Sequence, residues 1–168
     1  MYEVGKVVLH KINGVCRIED IREENLTGES QMYYVMHPIF EKSSSILYLP
    51  IEDRGGLLRA LYTPSEIDHV ILKGEDEKIE WIDNNNLRKT TYTELLRKGT
   101  TSQLVALIRC LTARKTELEE QGKKFSVTDD RILSEARNRV DQEFAYSLNI
   151  DRENVPNYVL DIIAKREK

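Results

Sequence analysis

"KVVLHKINGVCRIEDI", residues 6–21, carries the first strong structural signal in the chain. Two runs rich in β-branched side chains flank Asn13-Gly14, a dipeptide that readily adopts the positive φ angles of a tight hairpin turn. The stretch therefore predicts two antiparallel strands joined by a short turn, and the fold of the front of the chain follows from this hairpin.

Further strands follow the hairpin at short spacing. The runs "MYYVMH" (32–37) and "ILYLPI" (46–51) are also rich in β-branched and aromatic residues, and Thr27-Gly28 ends the polar connection before them. Pro38 and Pro50 mark strand ends, because proline cannot donate to a sheet ladder. Four or five short strands bury little on an open sheet, so we expect a small, strongly curved sheet or barrel over residues 1–62.

The sequence period changes after Pro64, where apolar residues begin to recur at helical spacing. Cap and stop signals place helices at residues 65–73, about 79–98, roughly 101–121, from 126 onward and about 153–167. The signals themselves are Ser65, Gly99, Gly122, the Ser126–Asp129 capping box and Pro156. Residues 63–168 are thus predicted to form a bundle of four to five helices, which makes the chain an α+β protein of two domains.

Composition argues against several classes of function. No apolar run approaches the ~18 residues of a membrane span, and the start of the chain lacks the apolar stretch of a signal peptide, so we expect a cytoplasmic protein without a membrane partner. The chain has no phosphate-binding glycine loop, no nucleophile elbow and no metal-spaced histidines. We therefore expect no enzymatic activity, cofactor, metal or small-molecule substrate, and we expect Cys16 and Cys110 to be small apolar side chains.

Basic residues cluster in the helical half, although the net charge of the chain is −4. Residues 88–115 hold seven Lys/Arg and one acid, Glu94. Such a patch can steer a phosphate backbone. It can equally be a solvated helix face whose last cations complement the helix dipoles. Charge alone leaves both interpretations open.

The single tryptophan, Trp81, lies among polar residues just before this patch. On a continuous helix over 79–98, Trp81, Asn85, Arg88 and Lys89 would share one face. An indole beside cations can wedge into a base step while the cations hold phosphates. The alternative is a core tryptophan packed under the preceding helix near Val70 or Ile71.

The order of these motifs along the chain resembles that of the CarD/CdnL family of bacterial transcription regulators. The matching stretches are "YEVGKVVLHKINGVCRIEDI", "TGES", "YYVM", "ILYLPIE" and "EWIDNNNLR" at the head of a helix. The front segment also resembles the RNA-polymerase-interacting module of the transcription-repair coupling factor. The individual motifs are short, and their order over the full length makes the match specific.

The resemblance implies that residues 1–62 form a Tudor-like, SH3-like barrel that binds the β subunit of RNA polymerase through a strand edge. The polymerase-facing positions would be Glu24, Tyr34, Tyr48 and Leu49. The helical domain, residues 63–168, would contact promoter DNA weakly in the minor groove at the upstream edge of the transcription bubble. The DNA-binding positions would be Trp81, Asn85, Arg88, Lys89, Arg114 and Lys115. Such a wedge shifts the closed-to-open equilibrium without any chemistry.

This chain departs from the family pattern at both sites. Better-known relatives follow the tryptophan with Ser and a basic pair, where this chain has Ile82, Asp83 and Asn84. Relatives carry arginines where this chain has Glu24 and Tyr48. We therefore expect weaker DNA binding with a shallow salt dependence. The alternative function is a protein–protein adaptor of the same fold that does not bind DNA.

Overall fold

The computed structural model describes residues 1–42, 44–52 and 55–168. The chain divides into two compact units, Met1–Tyr62 and Thr63–Lys168. The first unit is built from strands and the second from helices. This is the α+β, two-part architecture that the sequence predicts.

Among the described residues of the first unit, five strands form one antiparallel sheet in the order β4-β3-β2-β1-β5. They are β1 (Val7–His10), β2 (Gly14–Glu24), β3 (Gln31–Pro38), β4 (Leu47–Pro50) and β5 (Leu58–Ala60). Gly14, the first residue of β2, takes a φ of 74° where the chain leaves the turn, and the antiparallel pairing of β1 with β2 confirms the predicted hairpin. Pro38 and Pro50 end their strands, also as predicted.

The long strand β2 holds the sheet together, because it pairs with β1 at one end and with β3 along nearly its whole length. Its register to β3 shifts between Ile18 and Asp20, and such a bulge increases the local twist. The core of the unit consists of Val8, Cys16, Ile18, Tyr34, Met36 and Leu49. Burial raises the pKa of Cys16 to about 11, so this residue is a neutral, buried thiol, as the sequence predicts.

Five helices and one short 3-10 turn form the second unit. They are α1 (Pro64–Asp76), α2 (Asn85–Lys98), α3 (Thr101–Glu120), α4 (Val127–Leu148), the 3-10 turn Arg152–Asn154, and α5 (Val155–Arg166). Local capping explains most of their bounds. Ser126 accepts a hydrogen bond from the backbone N–H of Asp129, and Gly122 has a positive φ just after α3, as predicted.

Two predicted helix starts are wrong. The first helix is capped by Thr63 rather than Ser65, because Thr63 and Glu66 form a reciprocal capping box. The second begins at Asn85 rather than near Ile79, because the Asn84 side chain accepts from the N–H of Leu87 and starts the helix there. Trp81 therefore precedes α2 and does not share a helix face with the residues that follow it.

The helices pack around a common apolar core that includes Tyr92, Leu107, Leu111, Ile132 and Phe144. The contacts between α2 and α4 advance in the same direction along the two sequences. Arg88 contacts Asp129 near both N-termini, and further along both helices the backbone oxygen of Leu96 accepts a hydrogen bond from Arg139. The two helices therefore run parallel, and their N-termini lie at the same end of the bundle. The α3 helix runs antiparallel to α4, because Lys115 meets Asp130 while Thr112 meets Arg137.

Candidate nucleic-acid interface and docking edge

Trp81 lies in the connection between α1 and α2 and is partly buried. The guanidinium carbon of Arg88 is 4.1 Å from the centroid of the indole ring, and that of Arg114 on α3 is 5.2 Å away. Guanidinium groups at these distances are attracted to the ring by cation–π interaction. The ring is thus not sealed under α1, and part of it is exposed beside two cations.

An open recess borders the ring on the side of α3. Trp81 and Ile79 form one wall, and the other lining residues come from α3: Cys110, Ala113, Arg114, Thr116, Glu117 and Glu120. A surface recess with an aromatic wall and a neighbouring cation suits a flat aromatic group such as a nucleic-acid base. The sequence did not indicate that α3 would supply this wall.

Arg88 belongs to the interior of the bundle rather than to its basic surface. It is only 6% exposed and forms a salt bridge with Asp129, which is 2% exposed. Its Nη1 also donates to the backbone oxygens of Ile82 at 2.8 Å and Asp83 at 3.3 Å. The donors of Arg88 already serve groups of the protein, and its role in DNA binding stays a prediction.

Tyr92 lies one helical turn after Arg88 and binds the backbone on the N-terminal side of Trp81. Its hydroxyl donates to the backbone oxygen of Glu80 at 2.8 Å. Burial raises its pKa, so the hydroxyl keeps its proton and remains a donor. Arg88 and Tyr92 together bind the carbonyls on both sides of Trp81, which fixes the backbone that carries the indole.

The remaining cations of the 88–115 patch are mostly paired within the chain. Arg97 and Lys98 contact Glu94, Arg109 contacts Glu75, Arg114 contacts Glu117, and Lys115 contacts Asp130. Among the seven, and within the described part of the chain, only the Lys89 side chain makes no ion pair or hydrogen bond, and it is exposed. The surface near Trp81 is therefore less positive than the sequence count suggests.

Three other predicted DNA-binding residues have defined positions near Trp81. The Asn85 side chain accepts a hydrogen bond from Arg88 at 2.9 Å, so it helps to hold the arginine that binds the backbone next to Trp81. Arg114 lies over the indole while donating to Glu117 at 2.7 Å, with its side chain 32% exposed. Lys115 donates to Asp130 at 2.8 Å on the neighbouring face of α3. Of these, Arg114 is in direct contact with the tryptophan and still reaches solvent.

The sheet of the first unit has β4 at one edge, next to β3. Tyr34 and Leu49 lie opposite each other on β3 and β4, and both side chains are buried, at 3% and 8% exposure. Both side chains point into the core of the sheet, and the polymerase-facing role of these two residues stays a prediction. Tyr48 is 38% exposed and remains accessible on β4.

The backbone of β4 offers hydrogen bonds at its outer edge. The N–H of Ile51 donates to the oxygen of Met32 at 3.0 Å, and this fixes which residues of the strand bond to β3. Because alternate residues of an antiparallel strand face opposite edges, the N–H and C=O of Tyr48 point away from β3. Pro50 lacks an N–H, which limits how far a partner strand can pair along this edge.

Charged side chains on β2 lie near Tyr48, which is on β4. The Arg22 side chain donates to the Tyr48 hydroxyl at 3.0 Å and contacts Glu24 at 2.8 Å and Asp20 at 3.6 Å. Glu24 is thus paired, and the positive charge near the edge comes from Arg22, which the sequence interpretation did not single out. The alternation of Asp20, Arg22 and Glu24 along β2 is the signal that places all three on one face.

Two classes of site find no support within the residues that the structure describes. No group of three or more His, Cys, Asp or Glu side chains there is arranged to hold a metal ion. No helix there is long and apolar enough to span a bilayer.

Residues 2–61 match the model of the CarD-like/TRCF RID domain, and residues 70–160 match that of the CarD C-terminal domain. Together with the fold, these two matches define a class: a transcription regulator that interacts with RNA polymerase, with a β domain followed by a helical domain. The chain belongs to the CarD family. No curated protein matches it significantly.

Proposed function

We propose that this regulator docks on the β subunit of RNA polymerase through the β4 edge and contacts promoter DNA through Trp81. The contact lies in the minor groove at the upstream edge of the bubble and lengthens the life of the open complex. The observation that carries this proposal is the position of Trp81, a partly exposed indole with two guanidinium groups over its ring. The protein acts in the cytoplasm, on the nucleoid, by way of polymerase and without a catalytic step.

An aromatic ring that is already held in one position is well suited to act as a wedge between bases. The carbonyls on both sides of Trp81 are bound by Tyr92 and Arg88, so the ring loses little conformational freedom when it meets DNA. Apolar wedges in the minor groove favour base steps that are already unstacked. A ring that binds only the distorted fork shifts the population toward the open state.

The electrostatics support weak DNA binding. Lys89 is exposed and unpaired within the described residues, whereas Arg114 and Lys115 must leave Glu117 and Asp130 before they can reach phosphates. Because few cations are free, few counterions are released on binding. The protein therefore depends on polymerase to bring it to the promoter, and the salt slope of its own DNA binding is shallow.

The β4 edge supports docking on polymerase by strand addition. The backbone N–H and C=O of Tyr48 face away from β3, and its side chain lies beside Arg22. Main-chain hydrogen bonds supply affinity in this mode, and side chains such as Tyr48 and Arg22 select the partner. Tyr34 and Leu49 support this edge from the core, because their buried side chains lie opposite each other on β3 and β4.

The second candidate function is an adaptor that binds polymerase and another protein but not DNA. It is favoured by the pairing of most cations near Trp81 with acids of the chain. The recess on α3 would then receive a side chain of the second protein instead of a nucleotide.

Fluorescence anisotropy with labelled forked promoter DNA at low salt separates the two. We expect the wild-type chain to bind and Trp81→Ala to bind about tenfold more weakly, because stacking on an aromatic ring contributes about 1–3 kcal/mol. Tyr146→Ala is the matched control, since Tyr146 is another exposed aromatic of the helical unit, 38% exposed on α4. Both variants should retain polymerase in a pull-down. Wild-type protein that retains polymerase but ignores forked DNA would favour the adaptor.

A further inference from the structure

The guanidinium of Arg88 uses all five of its N–H donors. Nε and Nη2 donate to the two carboxylate oxygens of Asp129, at 3.0 and 2.9 Å. Nη1 donates to the carbonyls of Ile82 and Asp83, and Nη2 also donates to the side chain of Asn85. A planar group with five fixed donors has one orientation when every donor is bound. The same group lies 4.1 Å from the centre of the Trp81 ring.

Asp129 is itself held in place. It lies in the first turn of α4, where the helix dipole favours a negative charge. The Ser126 hydroxyl donates to its carboxylate at 2.6 Å, and its own N–H donates to the Ser126 hydroxyl at 3.0 Å. The carboxylate therefore offers Arg88 a fixed pair of oxygens, 41 residues away in sequence.

We propose that Asp129 is a positioning residue for Trp81, acting through the Arg88 guanidinium. The N-terminus of α4 fixes Asp129, Asp129 orients Arg88, and Arg88 holds both the ring and the backbone of the Trp81 segment. For the effect on DNA, this inference rests on the proposed function. The positioning of Trp81 can be tested without it.

A buried ion pair between two helices costs desolvation free energy that an apolar contact does not. Buried charges lose hydration, and apolar residues of similar volume often stabilise a fold as well or better. An apolar pair, however, has no donors for the carbonyls of Ile82 and Asp83. The specific contribution of the pair is thus the orientation of the tryptophan segment, which separates a positioning role from a purely structural one.

The fluorescence of the single tryptophan measures its surroundings directly. We expect Asp129→Asn to shift the Trp81 emission to longer wavelength and to increase quenching by acrylamide, because Arg88 loses its fixed partner and releases the segment. Asp130→Asn is the matched control: it removes one negative charge from the same helical turn, but Asp130 is paired with Lys115 at the surface. Its emission and quenching should equal those of wild type. Unchanged Trp81 fluorescence in folded Asp129→Asn would overturn the proposal.

A double variant, Arg88→Met/Asp129→Leu, keeps the test decisive if the single variant folds poorly. We expect it to regain thermal stability through apolar packing while Trp81 stays red-shifted and accessible to acrylamide. Recovery of wild-type fluorescence in the double variant would show that the ion pair has only a structural role.

The consequence for DNA is tested by anisotropy with forked promoter DNA. Asp129→Asn should bind about tenfold more weakly than wild type although it loses a negative charge, because a displaced ring loses its stacking contact. If Asp129→Asn displaces Trp81 but binds DNA like wild type, the proposed link from Asp129 to DNA is wrong. If wild type itself does not bind forked DNA, the proposed function fails, while the fluorescence result still decides the positioning of Trp81.

Discussion

Gly74 on α1 lies against the backbone of Ser102 on α3, with no room for a side chain between the two helices. A Cβ at position 74 would be 2.9 Å from the backbone oxygen of Ser102 and 2.9 Å from the Cγ1 of Val105. Carbon atoms in folded proteins rarely approach other heavy atoms this closely. The first turn of α3 and the last turn of α1 can therefore meet only at a glycine.

Gly74→Ala should destabilise the protein by about 1–3 kcal/mol, the usual effect of overpacking. In an exposed helix the same change stabilises by about 1 kcal/mol, so the sign itself is informative. Urea denaturation of the full chain measures the difference. Ser134→Ala, at an exposed position of α4, is the control and should lie within about 0.5 kcal/mol of wild type. A Gly74→Ala variant as stable as wild type would contradict the close contact.

Local signals made much of the fold predictable. The turn at Asn13-Gly14, the prolines that end β3 and β4 and the Ser126 cap each act within a few residues, so the sequence alone identified them. The start of α2 was misplaced because three consecutive asparagines can lie inside a helix or cap it. Only the hydrogen bond from Leu87 to Asn84 decides between these possibilities.

The candidate sites were less predictable, because they depend on contacts between distant residues. Arg88 and Asp129 are 41 residues apart, and nothing in a single sequence pairs them. On β3, residues 33–36 are all buried, so the run has no alternation to show which way Tyr34 points. The sequence therefore does not indicate that Tyr34 belongs to the core.

Glu117→Gln should strengthen binding to forked DNA. The change frees Arg114, which lies over Trp81, from its partner at 2.7 Å, and it removes a negative charge from the recess. We expect affinity to rise about twofold to fivefold at low salt, since exposed ion pairs contribute about 0.2–1 kcal/mol. The salt slope should become steeper by up to about one unit if Arg114 gains a phosphate.

The control is Glu135→Gln, which releases Arg139 from a similar ion pair on α4. Its DNA affinity should rise less than that of Glu117→Gln, because the residue is not part of the recess. Anisotropy titrations at several salt concentrations compare the two variants. Equal effects would mean that only the overall charge of the protein matters.

Tyr48→Pro should weaken binding to the polymerase β subunit more than Tyr48→Ala. Both variants lose the exposed ring, but only proline removes the N–H that points outward from β4. One lost main-chain hydrogen bond amounts to about 1 kcal/mol, which is roughly fivefold in affinity. Proline is tolerated at an edge where the N–H faces solvent, so the fold should persist. Surface plasmon resonance on immobilised polymerase measures the ratio, and equal affinity of the two variants would exclude strand addition at Tyr48.

Asp141 on α4 should make the protein less stable as the pH rises from about 4 to 7. Burial raises its pKa to about 6, from the ordinary 3.8, although the charges of Arg152 and Arg137 act in the opposite direction. Because the folded state holds this proton more tightly than the unfolded state, the contribution to stability is complete below pH 4 and is lost as the pH rises through 6. Asp141→Asn stays neutral and avoids that loss.

The difference in unfolding free energy between Asp141→Asn and wild type should therefore grow with pH. We expect it to be near zero around pH 4 and to approach about 2–3 kcal/mol at pH 7.5, since one pKa unit corresponds to 1.36 kcal/mol. Titration of every other group occurs in both proteins and cancels in the difference. Urea unfolding at several pH values gives this quantity directly. A difference that stays constant across the pH range would show that Asp141 keeps an ordinary pKa in the folded chain. Ionisation of its carboxyl would then not destabilise the folded protein.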